Sequence, residues 1–296
     1  MSERVDLTTG AAAPEPVVAG RPARGRRVNP SLVVGALLVG LVIGAALLSF
    51  VWTPYDPTRI DATARLSSYS ADHWLGTDKF GRDVFSQLLV GARTTLFVGV
   101  VAVGIAAVIG TPLGILAGMG TRWAGEVVMR TNDLLLAFPA LLMAIMFAAV
   151  YGPSTLTAMV AIGIATIPAF ARLARSGTLQ VMSAEYVLAA RAAGRRRTAI
   201  GVRHVLPNIA GLVIVQCSVA FAIAILAEAA LSFLGFGTRP PTPSWGRMLQ
   251  ESQELLHSAP RLALWPGVAI ALAVLGFNLL GDGLRDRFDP RLEVRR

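Results

Sequence analysis

Six apolar runs constrain this chain more than any other feature: Leu32–Trp52, Thr95–Met119, Leu134–Tyr151, Thr155–Ala171, Ile209–Gly235 and Leu262–Gly281. Each approaches the roughly 20 residues that a helix needs to cross a hydrocarbon core. A bilayer offers no water to an exposed backbone amide, so a segment of this kind can span only as a helix. The expected fold class is therefore all-α, a membrane protein of six transmembrane helices. Only Gly152, Pro153 and Ser154 separate the third run from the fourth, which predicts a helical hairpin with a tight turn. Composition agrees: hydrophobic residues make up 54% and charged residues 15%, with a mean hydropathy of +0.60. A soluble globular domain carries far more charge.

The first run is too long for the apolar region of a cleaved signal. It is followed by Trp52-Thr53-Pro54, with no small-residue cleavage site, so a retained helix is expected. Basic residues set the orientation. With the N-terminus inside, inner segments carry 19 Arg and outer segments carry 8 Arg or Lys, which together are all 27 in the chain. Both termini are then cytoplasmic. The expected organisation is a disordered tail over 1–30, a first helix over 31–52 and an extracytoplasmic segment over 53–94. A five-helix core over 95–282 follows, containing a cytoplasmic loop at 172–208, and a cytoplasmic tail at 283–296 ends the chain. The tail rich in Ala, Pro, Gly and Arg has no apolar period to drive packing.

Several chemistries are excluded. A phosphate-binding loop ends in Lys-Ser or Lys-Thr, and Lys79, the sole lysine, precedes Phe80. His73, His204 and His257 fall in separate segments, so neither a metal site nor a nucleophilic triad can be drawn from them. No enzyme activity, cofactor or metal is expected. Basic loops beside anionic headgroups account for the net charge of +9 without nucleic acid. Cys217 stands alone in the fifth run, which excludes an internal disulfide.

Ion-coupled carriers keep ionisable groups inside their spans. Here one carboxylate, Glu228, lies within the six runs, and it reads first as a structural group pairing with a loop or capping a neighbour. Gly110, Gly114 and Gly118 fall on one face of the second run, and Gly40 and Gly44 repeat the spacing in the first. Such small-residue faces allow close helix approach. Pro112, Pro139, Pro168 and Pro266 mark possible bends.

The remaining signal is the polar, helix-prone stretch between the fourth and fifth runs. Ala189, Ala190, Gly194, Leu206 and Pro207 match the pattern Glu-Ala-Ala-x3-Gly-x9-Ile-x-Leu-Pro, with Leu188 at its Glu position and His204 at its Ile position. This resembles the coupling motif of membrane subunits from binding-protein-dependent ABC importers. Tyr186-Val187-x-Ala189-Ala190-Arg191 and Arg203 to Asn208 are similar to the peptide and nickel branch, specifically the second permease of dipeptide and oligopeptide importers. Three further stretches agree in order: His73 to Val84, Ala227 to Gly235, and Phe277 to Leu292.

The resemblance implies a type I ABC importer permease architecture. It implies that the chain pairs with a second homologous permease, docks one or two cytoplasmic ATP-binding subunits, and receives a small peptide from an extracytoplasmic substrate-binding protein. The expected coupling residues are Glu185, Tyr186, Ala189, Ala190, Arg191, Gly194 and Pro207. Small residues let a short helix lie close to a partner, and a glycine turns without a side chain. An amphipathic helix on the bilayer would explain the arginines but not the alanine and glycine spacing. Asp78, Gly81, Arg82 and Asp83 are expected to order an outer loop and to meet the binding protein, a solvated turn being the other reading. The alternative function is an ion-coupled secondary carrier acting alone, with Glu228 its first candidate.

Overall fold

The computed structural model describes residues 29–288. Residues 1–28 of the expected N-terminal tail and the Asp289 to Leu292 end of the last matching stretch lie outside the described residues. The helices are α1 Pro30–Val51, α2 Val84–Met119, α3 Arg122–Ala137, α4 Ala140–Tyr151, α5 Thr155–Met182, α6 Glu185–Ala192, α7 Arg197–Ile200, α8 Leu206–Phe233, α9 Trp245–Ser252 and α10 Arg261–Phe288. Among the described residues five are long and apolar enough to cross a membrane: α1, α2, α5, α10, and α8 together with the turns from Arg197 that lead into it. A sixth span arises if α3 and α4 are taken together.

That pair corrects the third run. Leu134–Tyr151 is not one helix, because the chain bends by 80° between α3 and α4. Proline disfavours α geometry in the residue before it and cannot continue the hydrogen-bond ladder. Phe138 is accordingly extended, with φ −88° and ψ 124°, and Pro139 caps α4. The hairpin turn behaves as expected. Gly152 has φ +82° and Ser154 caps α5, its Oγ accepting from the Thr157 amide at 3.0 Å.

Helix lengths also differ from the apolar runs. α2 begins at Val84, well before Thr95, and its 36 residues reach about 54 Å, more than a bilayer core. The early turns hold Ser86, Gln87 and Arg93, which lower the hydropathy; Ser86 and Gln87 donate to Asp83 and Asp78, and Arg93 lies over the Phe50 ring. Likewise α5 runs past Ala171 to Met182, with Arg172 paired to Asp133 of α3 at 2.6 Å. The expected 172–208 loop therefore shortens to the stretch after Met182. α10 runs past Gly281 to Phe288, and Asp286 near its end accepts from Asn29 at 2.6 Å.

Packing fixes the arrangement. α2 and α5 run parallel in close contact through the glycine face: a Cβ at Gly110 would lie 2.6 Å from the Ile167 carbonyl oxygen, one at Gly114 would collide with the Ala171 carbonyl, and one at Gly118 would lie 2.7 Å from Thr178. Gly40 and Gly44 do not repeat this, since their Cβ positions meet none of the described residues within 4 Å. In the α1–α10 contact it is Gly35, Gly276 and Gly283 that touch the opposite helix. α8 runs antiparallel to α2, bringing Glu228 to Thr95 and Phe221 to Gly99. This alternation puts residues 53–83 and α9 at one end of the bundle. The loop carrying α6 and α7 lies at the other.

Candidate functional site

The α6 loop is held by a small core. Val187, fully buried, packs with Met119 of α2, Ala174 and Met182 of α5, and Ile200, Val205 and Ile209. The rest of α6 points outward. Tyr186 and Leu188 are 48% and 49% exposed, and Glu185, Ala189, Arg191 and Ala192 are exposed with them. At about 100° per residue, Glu185, Ala189 and Ala192 form a crest opposite Val187, flanked by Tyr186 on one side and Leu188 on the other. Ala190 sits at the edge, half-buried.

Gly194 ends the helix. Its amide donates to the Arg191 carbonyl at 2.9 Å while the Arg195 amide donates to Ala190 at 3.2 Å, the paired closure of a Schellman cap. Its φ is +75°, and a Cβ there would meet nothing within 4 Å. After α7, residues Gly201–Val205 form a π turn that leads into α8, with Pro207 in its first turn. Proline has no amide to donate, and it follows directly on the wider turn, whose last bond runs from the Leu206 amide to the Gly201 carbonyl. The His204 ring lies 6.0 Å from Tyr186, and its carbonyl accepts from Asn208 Nδ2 at 2.6 Å. Wider turns of this kind recur at functional sites.

At the opposite end, Asp78, Gly81, Arg82 and Asp83 are brought together and turned inward. Asp78, 9% exposed, accepts from the amides of Phe80 and Arg82 at 2.8 and 3.0 Å, from Arg82 Nε at 2.6 Å and from Gln87 at 3.0 Å. Arg82 also donates to Glu251 of α9, which accepts from Arg247 at 2.9 Å. Asp83, 3% exposed, caps α2 through the Ser86 amide at 2.8 Å and faces His73 Nδ1 at 3.0 Å. Gly81 has φ +79°, and a Cβ there would collide with the Asp61 carbonyl. The two carboxylates and the glycine thus face into the fold and bind its own groups. They lock the outer segment onto α2 and α9. Nearby, hydrogen bonds from the Thr63 hydroxyl and amide hold the exposed Asp61 carboxyl below its ordinary range.

Glu228 is 1% exposed and sits among hydroxyls. It accepts from Ser232 at 2.7 Å and lies 3.5 Å from both Thr238 and Thr95. Ser232 in turn accepts from the Thr238 amide at 3.0 Å. The carboxyl group thus joins the 234–244 connection to α8 and α2.

The pattern for binding-protein-dependent transport system inner membrane components matches residues 110–294, from the middle of α2 through the α6 loop to α10. The chain belongs to this family. Its relatives include the dipeptide transport system permease protein DppC of Alkalihalophilus pseudofirmus, 42% identical over 265 residues, covering 90% of this chain and 87% of that protein. The glutathione transport system permease protein GsiD of Pectobacterium atrosepticum is 43% identical over 262 residues, covering 88% and 87%. GsiD of Salmonella typhimurium is 44% identical over 271 residues, covering 91% and 89%. Among solved structures, the inward-facing MetNI methionine ABC transporter aligns with a TM-score of 0.58 at 17% identity, over 69% of this chain and 96% of that one. That likeness shows the shared permease fold. This family member is a multi-pass inner-membrane transport permease.

Three residues that hold these sites together were not singled out in the sequence. Val187 anchors α6, Glu251 receives Arg82, and Trp245, buried in α9, donates from Nε1 to the Leu88 carbonyl at 3.0 Å. Val187 was hidden among apolar neighbours. Ser244 ahead of Trp245-Gly246-Arg247 is an N-cap signal that could have revealed α9, and its Oγ accepts from the Arg247 amide at 3.2 Å.

Proposed function

We propose that this chain is one permease subunit of an ATP-driven importer of dipeptides or other short peptides, forming its pathway with a second homologous permease. The α6 loop faces the cytoplasm and transmits closure of one or two ATP-binding subunits to the spans. Residues 53–83 and α9 form the outer platform beside an extracytoplasmic binding protein. The observation that carries this reading is a short helix pinned by one buried valine, with its alanine crest unpartnered, at the family's motif position. The dipeptide and glutathione permeases among its relatives support a peptide substrate.

The coupling is a linkage of equilibria. ATP-driven closure can bias the inward and outward states only through contacts that differ between them. α6 is built to carry such a difference, because Val187, Ile200 and Val205 join it to α2, α5 and α8. The test is the energy source. Uptake of a labelled dipeptide into cells carrying the full system is expected to fail on ATP depletion and survive collapse of the ion gradient. Uptake that collapses with the gradient while ATP is intact would instead indicate an ion-coupled carrier.

A further inference from the structure

Where the end of α1 meets the first turns of α2, aromatic side chains gather around one cation. Trp52, directly after the last residue of α1, has its ring 6.3 Å from that of Trp74, which lies 5.2 Å from Phe85 of α2. Phe50, exposed near the end of α1, has the Arg93 guanidinium 4.7 Å from its ring centre. Lys79, Arg82 and Arg261 also stack on rings, but the first two pair with carboxylates and the third donates to the Leu66 and Ser67 carbonyls. Arg93 takes part in no ion pair among the described residues. The depth of the cluster follows from α1, whose 22 apolar-rich residues rise about 33 Å, the thickness of a hydrocarbon core. Phe50 and Trp52 therefore stand at the level of the outer headgroups, and their contacts bring Arg93 and Trp74 to the same level.

We propose that these residues form a site for a phospholipid of the outer leaflet. Its phosphate sits on Arg93, its headgroup region lies against Trp52 and Trp74, and an acyl chain passes Phe97, which is exposed one turn further into the membrane on α2. An unpaired guanidinium beside hydrocarbon is costly unless it reaches the headgroups, and its planar fork matches two phosphate oxygens. Tryptophan rings settle at that same boundary, one edge apolar and one polar. A soluble protein fits less well, because it would have to enter the headgroup layer to reach Phe50 and Phe97. The site is independent of the coupling role and of which solute is carried.

The test is quenching of tryptophan fluorescence in this chain, assembled with its permease partner in detergent, by a phospholipid carrying a nitroxide on its choline headgroup. Wild type should show saturable quenching, and Trp52→Phe with Trp74→Phe should lose it. Arg93→Gln is expected to raise the half-saturating lipid fraction about five-fold or more, while Arg93→Lys, which keeps the charge, stays within about two-fold of wild type. Size-exclusion profiles check that each variant remains folded. Quenching that never saturates, that persists in the double Trp variant, or that is unchanged in Arg93→Gln would overturn the site. Displacement of the lipid by inorganic phosphate would overturn it in favour of a soluble anion. Loss of quenching on adding the binding protein would overturn it in favour of a protein contact.

Discussion

Gly194 separates two reasons for a glycine that usually coincide. Its φ of +75° costs an alanine on the order of 1–2 kcal/mol, a factor of about 5–30 in the population of the capped loop. Asparagine tolerates this region better. Space is no obstacle among the described residues, because a Cβ at Gly194 meets none of them within 4 Å. If the glycine serves only the cap, transport should follow backbone tolerance, with Gly194→Asn nearest wild type and Gly194→Ala below it. If a partner closes over the turn, transport should follow side-chain size, with Ala least harmful, Asn worse and Trp inactive. The account predicts the size order for dipeptide uptake, with all three variants inserted at wild-type level by immunoblot of membranes. Near wild-type uptake by Gly194→Asn, or measurable uptake by Gly194→Trp, would refute the close-approach argument.

Other perturbations read the packing. Val187→Ala removes two methyl groups from a fully buried position and should cost about 2 kcal/mol locally, lowering coupled ATPase activity while the detergent-solubilised bundle keeps its melting temperature. Glu251→Ala leaves the partly buried Arg82 and Arg247 short of their shared acceptor, a loss of about 2–3 kcal/mol. A lowered melting temperature, with α9 becoming protease-sensitive, is the expected readout. Glu228→Gln keeps the hydrogen-bonding shape and should retain uptake, whereas Glu228→Leu strands the hydroxyls of Ser232 and Thr238 and should reduce the amount of folded protein. Uptake abolished by Glu228→Gln in a stably folded protein would revive a proton-relay role.

The spans were legible because a bilayer requires long apolar runs, and the coupling loop because its small residues keep a fixed spacing. What the sequence concealed depends on which faces meet. Gly110, Gly114 and Gly118 look like Gly40 and Gly44 on paper, yet one set packs on α5 and the other meets none of the described residues. Nothing in the spacing distinguishes them. The start of α2 was hidden because Ser86 and Gln87 lower its hydropathy, their polarity being met by Asp83 and Asp78 from the preceding loop. Asp78 and Asp83 looked like surface residues for the converse reason: charge reads as exposure until the folded partners are seen. Pro139 was visible, but an apolar run alone does not distinguish a kinked helix from one broken by 80°.

The central claim is that the α6 loop joins this permease to ATP hydrolysis. The most direct measurement is the ATPase activity of the reconstituted complex of both permeases, the ATP-binding subunits and the binding protein, with and without dipeptide. Wild type should show hydrolysis stimulated by peptide and binding protein, and Gly194→Trp should lose the stimulation while the chain still assembles with its permease partner. A Gly194→Trp complex stimulated as strongly as wild type would contradict the account.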